Sequence, residues 1–312
     1  MKKKVFVALS SFARHGQAPV ELLKKSGFEF VLNTSGKRLG SQEIIAMAVG
    51  ADGIIAGLEV YDRAVLEGLP RLKCISRCGV GTDNIDLAAA RIKGITVVNT
   101  PDVVVQPVAE LTVGFVFDLL RSLTRQTEDM RSGGWVRHTG YLLSSKTVGV
   151  LGLGRIGRRV AELFKRLDAQ VIGYDLQPDQ AWADKAGVAV VSKEALLSRS
   201  HVLCVHVACA DGAPAVVGAG ELASMKKGAF LVNVSRGQAV DETALLDALK
   251  NNHLAGAALD VFAQEPYNGP LSQLPNVLLT PHVGSLTHES RAQMETEAVE
   301  NLLKVLSGFS VV

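Results

Sequence analysis

"TVGVLGLGRIGRRVAELFKRLDAQVIGYD" spans residues 147–175, and its punctuation decides the fold. A β-rich apolar run meets Gly152, Gly154 and Gly157, and an amphipathic stretch begins directly behind them. Glycines spaced GxGxxG between a strand and a helix are the fingerprint of a dinucleotide-binding βαβ unit. Gly152 permits the tight turn, Gly154 lets backbone approach a pyrophosphate, and Gly157 lets helix and strand pack closely. The helix N-terminus adds amide N–H groups that face the phosphate charge. Asp175 closes the next strand, where a carboxylate accepts hydrogen bonds from the ribose hydroxyls of NAD and repels the 2′-phosphate of NADP. The stretch predicts NAD as cofactor.

Outward from this unit the same alternation continues in both directions. Short apolar runs ("KVFVAL", "DGIIAG", "KCIS", "ITVVN", "VLCVHV", "AFLVNV", "AGAALD", "VLLT") are separated by helical patterns such as "DETALLDALKNNH". Continuous apolar runs of this length are the mark of parallel strands covered on both faces, which makes this an α/β chain. Its 312 residues suffice for two domains, each with its own core. Two proline landmarks, "NTPD" at 99–102 and "TPHVGS" at 280–285, each follow a strand and mark crossing points between domains. A long helical pattern from about 106 to 123 follows the first landmark, and a C-terminal helix at about 287–307 follows the second.

Composition removes several classes of function. Hydrophobic residues make up 47%, and 33 basic side chains balance 31 acidic ones, so no nucleic-acid or membrane-surface partner is implied. The opening "MKKKVFVALSSFARHG" reads as a first strand, because its apolar run is short, meets Arg14 and His15, and lacks a small-residue cleavage site. No stretch approaches the roughly 20 apolar residues that cross a bilayer. A cytoplasmic protein is expected. Cys74, Cys78, Cys204 and Cys209 form no CxxC pair and sit in apolar runs, which predicts reduced, buried thiols and no metal site.

The chemistry-bearing residues gather behind strands. "FLVNVSRG" (230–237) ends on Arg236, and "AALDVFAQEPYNGPLSQLPNVLLTPHVGS" carries Asp260, Glu265 and His282. In open α/β sheets the carboxyl ends of strands face the ligand crevice. Oxidising a 2-hydroxy acid removes the hydroxyl proton as hydride leaves the same carbon, and reduction needs a proton donor at the carbonyl oxygen. Histidine serves both directions near neutral pH. A carboxylate such as Glu265 stabilises the imidazolium and fixes its orientation. Arginine grips the substrate carboxylate and polarises the carbonyl. The other histidines, His206 included, read as structural.

The chain resembles the NAD-dependent D-2-hydroxyacid dehydrogenases, most closely the phosphoglycerate dehydrogenase branch. The motifs "ISRCGVGTDNID", "VVNTPD", "VAEL", "GVLGLGRIG", "LVNVSRG", "ALDVFAQEP" and "TPHVGS" stand in family order over nearly the whole length. The resemblance implies two Rossmann-like, doubly wound parallel-sheet domains, with an NAD-binding domain (100–285) inserted in a substrate domain (1–99 plus 286–312). It implies catalytic roles for Arg236, Glu265 and His282, and dinucleotide contacts at Arg155, Ile156 and Asp175, with Val207, Val234 and Asp260 beside them. The amides of Val80 and Gly81 are implied as ligands of the substrate carboxylate. The implied ligand is a small 2-hydroxy or 2-keto acid.

Three departures qualify the match. "HVACADGAP" puts Ala208 and Ala210 where the family has proline and threonine, on the adenosine side. Glu59 in "LEVYDR" replaces a basic residue that phosphoglycerate enzymes use, so it is expected to oppose a substrate phosphate, with Arg63, Arg77 or Lys37 as substitutes. The chain stops at Val312 without the regulatory domain of longer relatives, so serine feedback is not expected. Glyoxylate or hydroxypyruvate reduction is the alternative activity, and an NADH-sensing binding protein of the same fold the alternative class. A formate dehydrogenase-like enzyme would have glutamine in place of Glu265. The 106–123 pattern reads as apolar on more than one face, which with the Gly133–Gly134–Trp135 loop predicts a homodimer.

Overall fold

A computed structural model describes residues 2–209 and 212–309. The chain divides into two compact units, 1–104 with 285–312 and 105–284. In the first, β1 (Lys4–Val7), α1 (Ala18–Lys25), β2 (Glu29–Leu32), α2 (Ser41–Ala48), β3 (Gly53–Ala56), α3 (Arg63–Glu67), β4 (Cys74–Arg77), α4 (Leu87–Ile92) and β5 (Thr96–Val98) alternate. The second opens with α5 (Val105–Arg121) and α6 (Leu123–Arg131), then runs β6 (Thr147–Leu151), α7 (Arg155–Arg166), β7 (Gln170–Tyr174), α8 (Gln180–Ala186), β8 (Ala189–Val190) and α9 (Lys193–Arg199). It closes with β9 (Val202–Val205), α10 (Ala219–Ser224), β10 (Ala229–Asn233), α11 (Glu242–Lys250), β11 (Leu254–Leu259) and β12 (Val277–Leu279). The last helix, α12 (His288–Leu306), packs on α1, β3 and β4 of the first unit.

Among the described residues the first sheet has the order β2-β1-β3-β4-β5 and the second β12-β11-β10-β9-β6-β7-β8. Every pairing is parallel. The central strands explain why: β3, β9 and β10 are buried at every position, so each needs helices on both faces. Phe6, Ile44, Ile54, Tyr61 and Ile75 centre the first core, and Leu151, Leu203, Leu231, Leu245 and Leu259 the second. In each sheet the strand order reverses once, between β1 and β3 and between β6 and β9. Such switch points open a crevice at the carboxyl ends of the strands.

Two strands lie outside the apolar runs of the sequence. Both β2 and β8 are sheet edges, and β2 alternates exposed and half-buried positions, so neither needs a continuous apolar run. The helical pattern at 106–123 also differs in detail. Ser122 takes φ 50 and separates α5 from α6. One face of α5, with Phe115, Val116, Leu119 and Leu120, is buried, while Gln106, Glu110, Gly114 and Phe117 are exposed. The helix is amphipathic rather than apolar all round, because β10, β11 and α7 cover one face of it within its own unit.

Candidate active site

The glycine loop joins β6 to α7 at the switch point of the second sheet. Gly152 takes φ +96, and a Cβ there would lie 2.4 Å from the His206 carbonyl oxygen. At Gly157 a Cβ would come within 1.9 Å of the Gly152 carbonyl oxygen, so helix and turn touch only because this position has no side chain. Gly154, the N-cap of α7, has open space where its Cβ would be. Arg155 and Ile156 open α7, whose first-turn amides have no intrahelical acceptor. Asp175 is tied to the same loop: its carboxylate accepts from Leu153 N at 2.7 Å and from Gln177 N at 2.9 Å. Glycines that make room, a helix N-terminus and a carboxylate beyond the second strand fit a dinucleotide.

Val207 borders Gly152, its Cγ1 3.1 Å from where that glycine's Cβ would stand, and Val234 is buried behind β10. Beside Val207, His206 has a buried Nε2 without a hydrogen-bond partner among the described residues. Burial pushes its pKa down to about 3, so the ring is neutral. Ala208 lies in the described loop, and Ala210 falls outside the described residues.

Three strand ends of the same sheet carry Arg236, Glu265 and His282. After β10, the buried Asn233 shapes a turn by accepting from Ser235 N at 3.1 Å and donating to the Arg236 carbonyl at 2.9 Å. Arg236 leaves this turn, and its Nη1 donates to Ser235 O at 2.8 Å. After β11, Glu265 folds back so that Oε1 accepts from Phe262 N at 3.1 Å. After β12, His282 Nδ1 lies 2.9 Å from Glu265 Oε2 and 3.2 Å from Oε1. An ionised carboxylate only accepts, so Nδ1 carries the proton and Nε2 is left to act on a ligand. The His282 side chain is 43% exposed and that of Glu265 35%, open enough to be reached.

Asp260 does something the sequence did not disclose. It is 1% exposed, and its carboxylate accepts from the Thr280 hydroxyl, from Val283 N at 2.7 Å and from Gly284 N at 2.8 Å. Those groups flank His282, which takes the left-handed φ of 55. Burial pushes the Asp260 carboxyl upward, against the pull of the three donors. Asp260 is a clamp on the turn that carries the histidine.

In the first unit, Val80 and Gly81 follow β4. Gly79 N donates to Thr100 Oγ1 at 2.8 Å, and Asn99 Nδ2 donates to Val80 O at 2.8 Å, which holds the loop from behind. The amides of Val80 and Gly81 have no backbone acceptor among the described residues. Glu59 departs from expectation. It is 4% exposed and accepts from Gly57 N at 2.8 Å, so it caps the end of β3 instead of standing as an exposed charge.

Among the described residues no group of three or more His, Cys, Asp or Glu side chains could hold a metal ion, and no helix is long and apolar enough to cross a membrane. Cys74, Cys78 and Cys204 are buried, whereas Cys209, in the loop after β9, is only half-buried, and burial pushes the Cys74 and Cys78 thiols up to about 12.

The sequence pattern of the D-isomer specific 2-hydroxyacid dehydrogenase NAD-binding domain matches residues 113–284. This chain is 38% identical over 257 residues to a glyoxylate reductase of Thermococcus litoralis, covering 79% of this chain and 78% of that protein. The chain belongs to the D-isomer specific 2-hydroxyacid dehydrogenase family. Its second unit carries the family's NAD-binding domain, and NAD is its cofactor. A D-3-phosphoglycerate dehydrogenase of Methanocaldococcus jannaschii is 40% identical over 276 residues, covering 86% of this chain and 52% of that protein. This chain thus spans about half the length of that relative. Among solved structures, the TT0316 protein of Thermus thermophilus matches with a TM-score of 0.89 at 33% identity, over 98% of both chains.

Proposed function

We propose that this chain is an NAD-dependent oxidoreductase of the phosphoglycerate dehydrogenase type, interconverting a small D-2-hydroxy acid and its 2-keto acid. The observation that carries the reading is the Glu265–His282 pair at 2.9 Å, on the same sheet as the glycine loop. When bound, NAD supplies the hydride acceptor or donor. The remaining tasks fall to this chain's own side chains. His282 Nε2 removes the hydroxyl proton in oxidation and returns it to the carbonyl oxygen in reduction. Glu265 holds Nδ1–H and stabilises the imidazolium between those events. Arg236 opposes the charge that develops on the oxygen. The Val80 and Gly81 amides suit a substrate carboxylate. Gly152, Gly154, Arg155, Ile156, Gly157, Asp175, Val207, Val234 and Asp260 are assigned to the dinucleotide, with residues 100–285 as its domain and 1–99 plus 286–312 as the substrate domain.

The alternative, a glyoxylate or hydroxypyruvate reductase, draws support from Glu59, which offers a phosphate no cation. A cytoplasmic homodimer is proposed, its contact including the 80% exposed Trp135 and the 70% exposed Leu142. The deciding experiment measures kcat/KM with NADH for phosphohydroxypyruvate, hydroxypyruvate, glyoxylate and pyruvate. His282→Gln should reduce turnover by about 10² to 10⁴-fold with NADH binding intact. No turnover of any 2-keto acid would refute the enzyme and favour an NADH-sensing binding protein.

A further inference from the structure

Arg236 and Glu265 leave neighbouring, hydrogen-bonded strands, β10 and β11, so something must fix how far apart their loops ride. Gly237, directly behind the arginine, is buried. A Cβ there would lie 1.8 Å from the Phe262 carbonyl carbon, 2.0 Å from its oxygen and 2.3 Å from Ala263 N. All three atoms are backbone, so no side chain could swing away to make room. Gly237 is absent from the left-handed glycines, which means space and not conformation is what the position requires. From the other side, Ala263 N donates to Glu242 Oε1 at 2.7 Å, and Glu242 opens α11. The loop that carries Glu265 is gripped between these two contacts, two residues before the carboxylate that holds His282.

We infer that Gly237 and Glu242 are positioning residues, which seat the Glu265 loop against the Arg236 turn and so set the spacing of the guanidinium from the Glu265–His282 pair. The inference rests on the proposed roles of those three side chains. Neither residue is assigned contact with substrate or cofactor. A methyl group at 237 must push the 262–265 loop off the arginine turn, which moves Glu265 relative to Nδ1 of His282. Loss of the Glu242 oxygen frees the same loop on its outer side.

The test compares Gly237→Ala, Glu242→Ala, Glu242→Gln and Glu265→Gln in the full chain. It reads kcat and KM for a 2-keto acid, the pH profile of kcat/KM, and the NADH Kd by fluorescence. Glu265→Gln, by removing the anionic partner, should move the alkaline limb for keto-acid reduction to lower pH. Gly237→Ala should move that limb in the same direction and reduce kcat/KM about a hundredfold, with NADH Kd within about threefold. Glu242→Ala should do so by about three- to tenfold, and Glu242→Gln, which keeps an acceptor oxygen, should stay within about twofold of the parent. If Glu265→Gln moves the limb and neither Gly237→Ala nor Glu242→Ala does, the positioning role is overturned while the role of Glu265 stands. If Glu265→Gln itself leaves the profile unmoved, the underlying reading fails and takes the inference with it. Should Gly237→Ala not fold, the Glu242 pair decides alone: equal behaviour of the alanine and glutamine variants overturns the inference.

Discussion

Replacing Asp260 with asparagine isolates the clamp on the turn that carries His282. The carboxylate meets three donors: the Thr280 hydroxyl and Val283 N at one oxygen, Gly284 N at the other. An asparagine offers one acceptor oxygen and one NH₂ group. The Thr280 hydroxyl can rotate, but the two backbone amides point in fixed directions. Whichever way the side-chain amide turns, its NH₂ faces one of them. One charge-assisted hydrogen bond is lost, worth about 1.5–3 kcal/mol, and a buried N–H is left unmet at about 1–3 kcal/mol. Against this, burial pushes the Asp260 carboxyl upward, so its charge is disfavoured there and a neutral side chain recovers part of the loss. A net destabilisation of about 2 kcal/mol follows, or about 4–8 °C in Tm for a unit of this size. Urea and thermal unfolding measure it directly. Because the clamped amides flank His282, kcat/KM for keto-acid reduction should fall about tenfold or more with the looser turn. NADH affinity separates the clamp from the dinucleotide contact that the family resemblance implies. Unfolding unchanged within about 0.5 kcal/mol, together with a tenfold weaker NADH Kd, would refute the clamp and leave Asp260 as a ligand contact.

Asp175, held on Leu153 N and followed by "LQPD" without a basic residue, should make NADH strongly preferred over NADPH; similar specificity constants for the two would remove its assignment to the ribose. His206 predicts acid sensitivity. The unfolded chain takes up its proton near pH 6.5 while the folded chain resists until about pH 3, so stability is lost as pH falls through that window. At pH 5 the loss amounts to about 2 kcal/mol. His206→Asn should flatten Tm against pH between about 6.5 and 4, and parallel curves for the two proteins would contradict the burial argument. Sedimentation should find a dimer at micromolar concentration, weakened by Trp135→Arg, and a monomeric parent chain would dismiss the proposed contact.

How much of this was readable in advance depends on whether the physics is local. The need for glycine at 152 and 157 follows from a turn of a few residues, and at both positions a Cβ would run into backbone, while Gly154 has open space there. The parallel sheets follow from apolar runs that only two-sided burial explains. The edges β2 and β8 escaped because a strand with one open side need not be apolar throughout. The break at Ser122 escaped because "LLRSLTRQ" contains neither proline nor glycine. At the site, the ends of three strands could be ranked as candidates from sequence, since a polar residue behind an apolar run stands out. The work of Asp260 could not, because its partners are two backbone amides and a hydroxyl. The same is true of Gly237, whose importance lies in backbone atoms of a loop distant in sequence.

Glu59 changes the substrate argument in an unexpected way. As an exposed charge it would have repelled a phosphate; as a buried cap on Gly57 N it is committed elsewhere, and so is its neighbourhood. Lys37 pairs with Glu43 at 2.8 Å, and Arg77 donates to the Cys78 carbonyl with its guanidinium folded over Gly79. Arg77 holds the base of the Val80–Gly81 loop, and drawing it onto a phosphate would break a contact that shapes the first unit, which offsets part of the new ion pair. The Lys37–Glu43 pair is a surface pair, its side chains 64% and 43% exposed, and costs little to give up. Lys37 and Arg63, the exposed first residue of α3, are left as the basic side chains whose use disturbs least. An ion pair made by one such exposed cation is worth about 0–1 kcal/mol, less than a tenfold preference. Strong selection for a phosphorylated acid therefore needs a cation from beyond this set, and without one the smaller unphosphorylated keto acids compete on equal terms.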